Sequence, residues 1–315
     1  MNRELLPKEV EIVEVAPRDG FQIESAFIPT EKKIEFTNAL SKCGFQSIQV
    51  TSAAHPKAVP QLVDAEEVMA KINRQPGVVY NVLVPNLRGA ERAVEMKADE
   101  WELMLSVTDS HSISNANKRT KEALQEHEKV VELAGKHGVH LRGGMATALG
   151  CPFEGRVPIE RILYVAEAYY SMGIRAISVA DTVGVADPLH VYATMCTLRE
   201  KFPDVRFNLH LHNTRGMALA NILAGLQAGV DSFDAAIGGL GGCPYVPHAT
   251  GNISTEDVVH MLELMHIETG LNVNELIEKA SLAEEIVGHS LESSVYKAGH
   301  ANQLHDAPEK QIKME

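Results

Sequence analysis

Two histidines, His210 and His212, lie two residues apart inside the apolar run LHLHNTRG at 209–216. In a strand, side chains alternate between faces, so both imidazoles share one face while Leu209 and Leu211 take the other. Two imidazoles on one face can ligate a common metal ion. They can equally be core histidines with hydrogen-bonded ring nitrogens. A carboxylate, Asp19, follows the β-branched start of EVAPRDGFQ, and an amide, Asn252, ends the glycine-rich stretch 238–252. With the histidines these form a nitrogen–oxygen donor set without thiolate. Such a set suits an octahedral divalent ion that keeps water positions, Mg2+ or Mn2+, and the two imidazoles leave Zn2+ open. Asp19 reads alternatively as a helix N-cap or turn carboxylate, and Asn252 as a left-handed turn residue after Gly251. Arg18, next to Asp19, can place a permanent positive charge at a reacting centre and stabilise an oxyanion or enolate. Its other reading is a surface arginine paired with an acid. Cys243 sits in GGLGGCPY, where glycine allows a mobile lid and a thiol near a metal can exchange a proton. It can also be a small buried apolar residue, the fate of most free cysteines.

Strands must carry these groups to one place. Short β-branched runs occur at 11–16, 47–52, 78–84, 101–107, 140–146, 176–181, 206–212 and 232–238, with helical patterns between them. Several helical patterns end in glycine just before the next strand, at Gly44, Gly138, Gly173 and Gly229, the expected stop signal. Eight strands each followed by a helix read as an α/β (β/α)8 TIM barrel. A doubly wound open sheet is the runner-up, but APRDGFQ is not its GxGxxG turn. Active sites of the barrel lie where strands end. Six runs lead into polar residues there: Arg18-Asp19, Thr51-Ser52, Thr147, Asp181-Thr182, His212-Asn213 and the loop 238–252. Ser52 and Thr147, at strand ends, are candidate substrate contacts, and Gln49, three residues before Ser52 in the same run, is a third. The barrel is expected over 1–290, with one or two extra C-terminal helices after about 255, and a partly disordered tail over 291–315.

Composition excludes some functions. Lys plus Arg is 29 and Asp plus Glu is 42 in 315 residues, a formal charge of -13. That argues against nucleic acid and against anionic membranes as partners, though a small anionic ligand needs only local positive charge. No run approaches the roughly 18 apolar residues of a membrane span. The start, MNRELLPKEVEI, has no apolar secretory core, so a reducing cytoplasm is expected. Cys43, Cys151, Cys196 and Cys243 are then free thiols, none in CxxC spacing. A homo-oligomer is expected.

VEVAPRDGFQ, VTSAAHPKAVPQ, ATALGCPFEG, SVADTVGVADP, LHLHNTRGMALANILAGLQAGV and GGLGGCPYVPHATGNISTEDVVHMLE occur in this order between about residues 10 and 290. Together they resemble the 3-hydroxy-3-methylglutaryl-CoA lyase family, metal-dependent TIM barrels related to isopropylmalate synthases. The resemblance implies cleavage of an acyl-CoA to acetyl-CoA and a keto acid. It implies a divalent ion on Asp19, His210, His212 and Asn252, enolate stabilisation by Arg18, proton transfer by Cys243, and a substrate or proton role for Asp181. The chain departs from the family pattern at Gln49, where members usually have an acid, and at Ala53, Ala54 and His55, where an aromatic and a small polar residue are usual. It has Asn213 where HDT is frequent, and Ile23, Glu24 and Ser25 near a frequent lysine. Fewer negative charges near a metal change the proton balance and the substrate preference. Ala53 opens volume where a ring would stand. These departures point to a different branched 3-hydroxyacyl-CoA. A condensing acyltransferase of the isopropylmalate-synthase type competes, since HxHN is closer to that branch. A third reading is an acyl-CoA-binding barrel without catalysis, because Gln49 removes an acid.

Overall fold

The computed structural model describes residues 6–242 and 251–304. Eight parallel strands close in sequence order: β1 (Glu11–Glu14), β2 (Ser47–Ser52), β3 (Val79–Val84), β4 (Glu100–Ser106), β5 (His140–Ala146), β6 (Ala176–Asp181), β7 (Arg206–Leu211) and β8 (Ser232–Ala235). β8 returns to β1 in parallel, Glu11 opposite Ser232. Around them run α1 (Thr30–Leu40), α2 (Ala65–Lys71), α3 (Leu87–Met96), α4 (Asp109–Ala116), α5 (Thr120–His137), α6 (Ile159–Ser171), α7 (Pro188–Lys201) and α8 (Ala218–Gln227). Three helices follow, α9 (Thr255–Leu264), α10 (Val273–Val287) and α11 (Ser294–Ala298). This is the expected (β/α)8 barrel. The patterns did not anticipate α2, α4 or α11, because all three are too short for a clear helical period. α11 lies in the stretch expected to be tail, yet Val295 is buried and its N–H bonds Asp257 of α9 (2.7 Å).

Local chemistry sets these elements. α3 buries Gly89, Ala90, Ala93 and Met96, a helical stripe, and Asn86 caps it by accepting the Gly89 N–H (2.9 Å). Asp187 caps α7 in the same way through His190 N–H (2.9 Å), with Pro188 in the first turn. Gly138 ends α5 in the left-handed conformation.

Alternation divides each strand between helices and barrel interior. Leu209 and Phe233 fill the space beside Gly225 of α8. Asn208, His210 and Asp234 face the interior and bond one another there. That interior is not the branched apolar packing usual for this fold. Gln49, Asn81, Glu102, Arg142, Ser178, Asn208 and Asp234 are all buried within it. They avoid the penalty of burial by hydrogen bonding to neighbouring strands and, from Gln49 on β2 to Glu102 on β4, across an intervening one.

Outside the barrel, the Tyr169 ring of α6 occupies the place of the missing Gly143 side chain. A Cβ there would lie 2.6 Å from the ring. Gly143→Ala is therefore expected to lower stability by about 1–3 kcal/mol through overpacking. Denaturant unfolding measures this, and an unchanged midpoint would show that Tyr169 moves aside freely.

Candidate active site

Beyond β1, residues Ala16–Gly20 make one π-helical turn, a feature frequent at functional sites. The N–H groups of Arg18, Asp19 and Gly20 all point at the Val15 carbonyl (3.1, 2.7 and 3.4 Å). This turn buries both charged side chains, Arg18 and Asp19, at 5 % exposure each. A surface role for Arg18 is thereby removed.

His210 and His212 share a face as the alternation requires, with Nε2 atoms 3.1 Å apart. Asp19 Oδ2 lies 3.9 Å from His210 Nε2 and 3.7 Å from His212 Nε2. Among the described residues this is the one group of three His, Cys, Asp or Glu side chains whose ligand atoms lie within 4.8 Å of one another. Asp234 Oδ2 accepts a hydrogen bond from His210 Nδ1 (3.0 Å). That bond leaves the His210 Nε2 lone pair facing Asp19 and His212, the arrangement by which an outer carboxylate orients a ligating imidazole.

Asn252 is carried in by a short bridge to the end of β7. Ile253 N–H bonds Leu211 O (3.0 Å) and Asn213 N–H bonds Gly251 O (3.0 Å). Close approach demands glycine here. A Cβ on Gly251 would lie 2.5 Å from the Gly241 backbone, and one on Gly241, at φ +129, would lie 2.5 Å from Asn252 Nδ2. Asn252 Nδ2 donates to Asp19 Oδ2 (2.7 Å) and to Leu240 O (3.1 Å). Its Oδ1 is buried without a partner. Asn252 is not among the positive-φ residues, so its left-handed-turn reading is removed. A carboxylate, two converging imidazole nitrogens and an orphaned amide oxygen fit a divalent cation of the oxygen- and nitrogen-preferring kind.

Burial pushes the Asp19 carboxyl up, but the Arg18 guanidinium, with His212 and His210, outweighs it and holds Asp19 well below the usual carboxylate range. Burial pushes the His210 imidazole down, and its bond to Asp234 with the charges of Asp234 and Asp19 reverses that, so its pKa is raised. Arg18 is locked on two sides. Nη1 bonds Asp19 Oδ1, and Nε donates to Gln49 Oε1. Gln49 Nε2 in turn donates to Glu102 Oε2 (2.5 Å) and lies 3.3 Å from Asn81 Oδ1. Burial, with repulsion from Asp234, raises Glu102 to about 7 against the pull of Arg142 and Arg18.

The remaining sequence candidates stand on neighbouring strand ends. Both oxygens of Asp181 accept loop N–H groups, from Val185 and Ala186 (2.9 Å each), and burial raises its pKa. Thr147 holds a left-handed backbone at φ +57, a strain that recurs at functional sites. Its hydroxyl donates to Ala146 O (2.7 Å). Ser52 Oγ accepts the Ala54 N–H (3.1 Å), shaping the turn after β2. Ala53 is buried at 1 % exposure, and a Cβ on Gly89 would lie 2.9 Å from its carbonyl oxygen, so the turn after β2 packs closely on α3. Cys243 lies outside the described residues. Cys43, Cys151 and Cys196 are free thiols.

Two site residues escaped the sequence patterns, Asp234 and Glu102. The available signal was alternation: each is an acid on the inward face of a strand with no solvent side, in SFDA and EWELMLS.

Comparison with known proteins follows the same lines. Residues 9–283 match the HMGL-like family. The chain is 44 % identical over 287 residues to hydroxymethylglutaryl-CoA lyase YngG of Bacillus subtilis, covering 91 % of this chain and 96 % of that protein. It is 40 % identical over 293 residues to the cytoplasmic 3-hydroxy-3-methylglutaryl-CoA lyase of Homo sapiens, covering 93 % and 79 %. The fold matches that of an HMG-CoA lyase from Acinetobacter baumannii, solved in complex with coenzyme A and 3-methylmalate. The TM-score is 0.92 at 40 % identity, covering 96 % of this chain and 98 % of that one. With the family match running from β1 into α10, the chain belongs to the 3-hydroxy-3-methylglutaryl-CoA lyase family.

Proposed function

We propose that this protein is a metal-dependent carbon–carbon lyase. It splits a 3-hydroxyacyl-CoA of the 3-hydroxy-3-methylglutaryl-CoA type into acetyl-CoA and a keto acid. The observation that carries the reading is the buried Asp19–His210–His212 group beside an immobilised guanidinium. In the reaction the tertiary hydroxyl loses its proton and becomes a carbonyl. The C2–C3 electron pair passes to the thioester as an enolate, and a proton added at C2 completes acetyl-CoA. A divalent cation, Mg2+ or Mn2+, held by Asp19, His210, His212 and Asn252 supplies Lewis acidity at substrate oxygens when bound. Arg18 stands as a fixed cation where the enolate charge develops, and it needs no reorganisation during the step. Cys243 is assigned to proton transfer. Asp181 is assigned to substrate contact or proton movement, using acceptor capacity left beyond its two loop bonds. Gln49, Ser52 and Thr147 are assigned to the substrate side of the mouth.

The Acinetobacter baumannii relative, bound to coenzyme A and 3-methylmalate, supports an acyl-CoA substrate. The relatives compared are lyases along most of their length, which favours cleavage over condensation. A homo-oligomer in the cytoplasm completes the proposal. Relatives include cytoplasmic and mitochondrial lyases, and no described helix is long and apolar enough to cross a membrane.

A panel of branched 3-hydroxyacyl-CoA thioesters, assayed for acetyl-CoA release with Mg2+ or Mn2+, tests the reading. Because Gln49 and Asn213 place amides where the family pattern usually has acids, one of the alternatives is expected to show higher kcat/KM than 3-hydroxy-3-methylglutaryl-CoA. A value near ~10⁴ M⁻¹s⁻¹ or better on that compound, with every alternative slower, rejects the altered preference. Acetyl-CoA from no thioester rejects the lyase. Free CoA from acetyl-CoA plus a 2-oxo acid identifies the acyltransferase instead.

A further inference from the structure

Glu102 is a buried acid that the mechanism above does not use. It is 2 % exposed on the inward face of β4, and its Oε2 lies 2.5 Å from Gln49 Nε2. The other end of the same amide meets Arg18 Nε. An amide can turn end for end at almost no cost in shape, so its partners decide which way it points. A guanidinium offers only donors, and an ionised carboxylate only acceptors. Gln49 is thereby forced to give its oxygen to Arg18 and its NH2 group to Glu102. Asn81 Oδ1, 3.3 Å from the same NH2 group, adds to this bias. Asn81 itself donates to Glu100 Oε1 (2.9 Å), which also accepts from Arg142 Nε (3.0 Å). A hydrogen-bonded line thus runs from Arg142 across β4, β3 and β2 to Arg18.

We propose that Glu102 is a positioning residue of the reaction. Acting through the Gln49 amide, it fixes the Arg18 guanidinium in its catalytic orientation and supplies the negative charge that position 49 lacks. The acid stands one hydrogen bond away, on β4 instead of β2, and the net charge around Arg18 is kept. The charge count makes an unusual demand on variants. Gln49→Glu alone does not repair the site. It sets a second carboxylate against Glu102 in a buried space, where one of the two must take up a proton. Only the exchange Gln49→Glu with Glu102→Gln keeps one acid and one amide in contact.

The proposal rests on the lyase reading for its catalytic part, so the test has two arms. Wild type, Glu102→Gln, Gln49→Glu and the double exchange are compared at about one pH unit above the Glu102 value of about 7, where this carboxyl is ionised. The first arm is acetyl-CoA release from the best thioester. Each single variant is expected to lose about 10- to 100-fold in kcat with little change in KM, the range for a residue that orients a functional group. The double exchange is expected to recover most of that loss. The second arm is the Nε–H NMR signal of Arg18 in metal-free, arginine-labelled protein, assigned by its absence in Arg18→Lys. It is expected to shift or broaden in both single variants and to return as a hydrogen-bonded signal in the double exchange. A purely structural Glu102 predicts instead that the double exchange is the least stable and least active of the four. Wild-type kcat with an unshifted Arg18 signal in Glu102→Gln overturns the proposal, as does a double exchange no better than the weaker single variant. If wild type cleaves no thioester, the lyase reading fails by itself, and an unshifted Arg18 signal in Glu102→Gln then overturns the positioning claim independently.

Discussion

His210→Ala is expected to lose the bound divalent ion and the catalytic activity together. The His210 imidazole is oriented by Asp234 and aims Nε2 at the point where Asp19 and His212 converge. Removing it deletes one of two nitrogen donors and leaves Asp234 Oδ2 buried without its imidazole partner. A cation at such a site contributes several kcal/mol of charge stabilisation, so kcat/KM should fall by about 10³-fold or more. Metal content after dialysis, read by atomic spectrometry beside the acetyl-CoA assay, checks both halves. The alternative, a pair of core histidines, predicts lower thermal stability with no ion in either protein. Retained ion and retained turnover in the variant would overturn the metal assignment.

Arg18→Lys is expected to cut kcat by about 100-fold or more with KM little changed, the scale for loss of one oxyanion donor. Lysine keeps the charge but not the fork. Arg18 uses Nη1 toward Asp19 and Nε toward Gln49, and a single ammonium cannot hold both directions rigidly. Asp19 keeps a cationic neighbour, so the ion should remain bound. That separates this variant from His210→Ala. A change confined to KM would show that Arg18 only holds substrate.

Both predictions draw on residues visible in the sequence, because chemistry and strand alternation are local properties. The eight apolar runs, their spacing and the glycine stops defined the barrel, since a parallel strand buried on both faces needs a continuous apolar or inward-polar run and a helix to return it. The period of two put His210 and His212 on one face without any coordinates. The strand-end rule of this fold then brought Arg18, Asp19 and the loop to Asn252 to the same mouth. Which atoms meet there is not a local property. The π-helical turn that buries Arg18 depends on three N–H groups sharing the Val15 carbonyl, and Asn252 reaches Asp19 only because Gly241 and Gly251 touch. Asp234 looked like one polar residue in a strand until the sheet formed and set β8 beside β7. Gln49 carried the largest difference. Against the family pattern, it is an amide where an acid is usual. In the folded barrel it is an amide held against the acid of β4, which lies 53 residues further along the chain. The curvature of the sheet, which brings inward side chains of β2 and β4 together across β3, decides what charge Arg18 experiences, not any property of β2 itself.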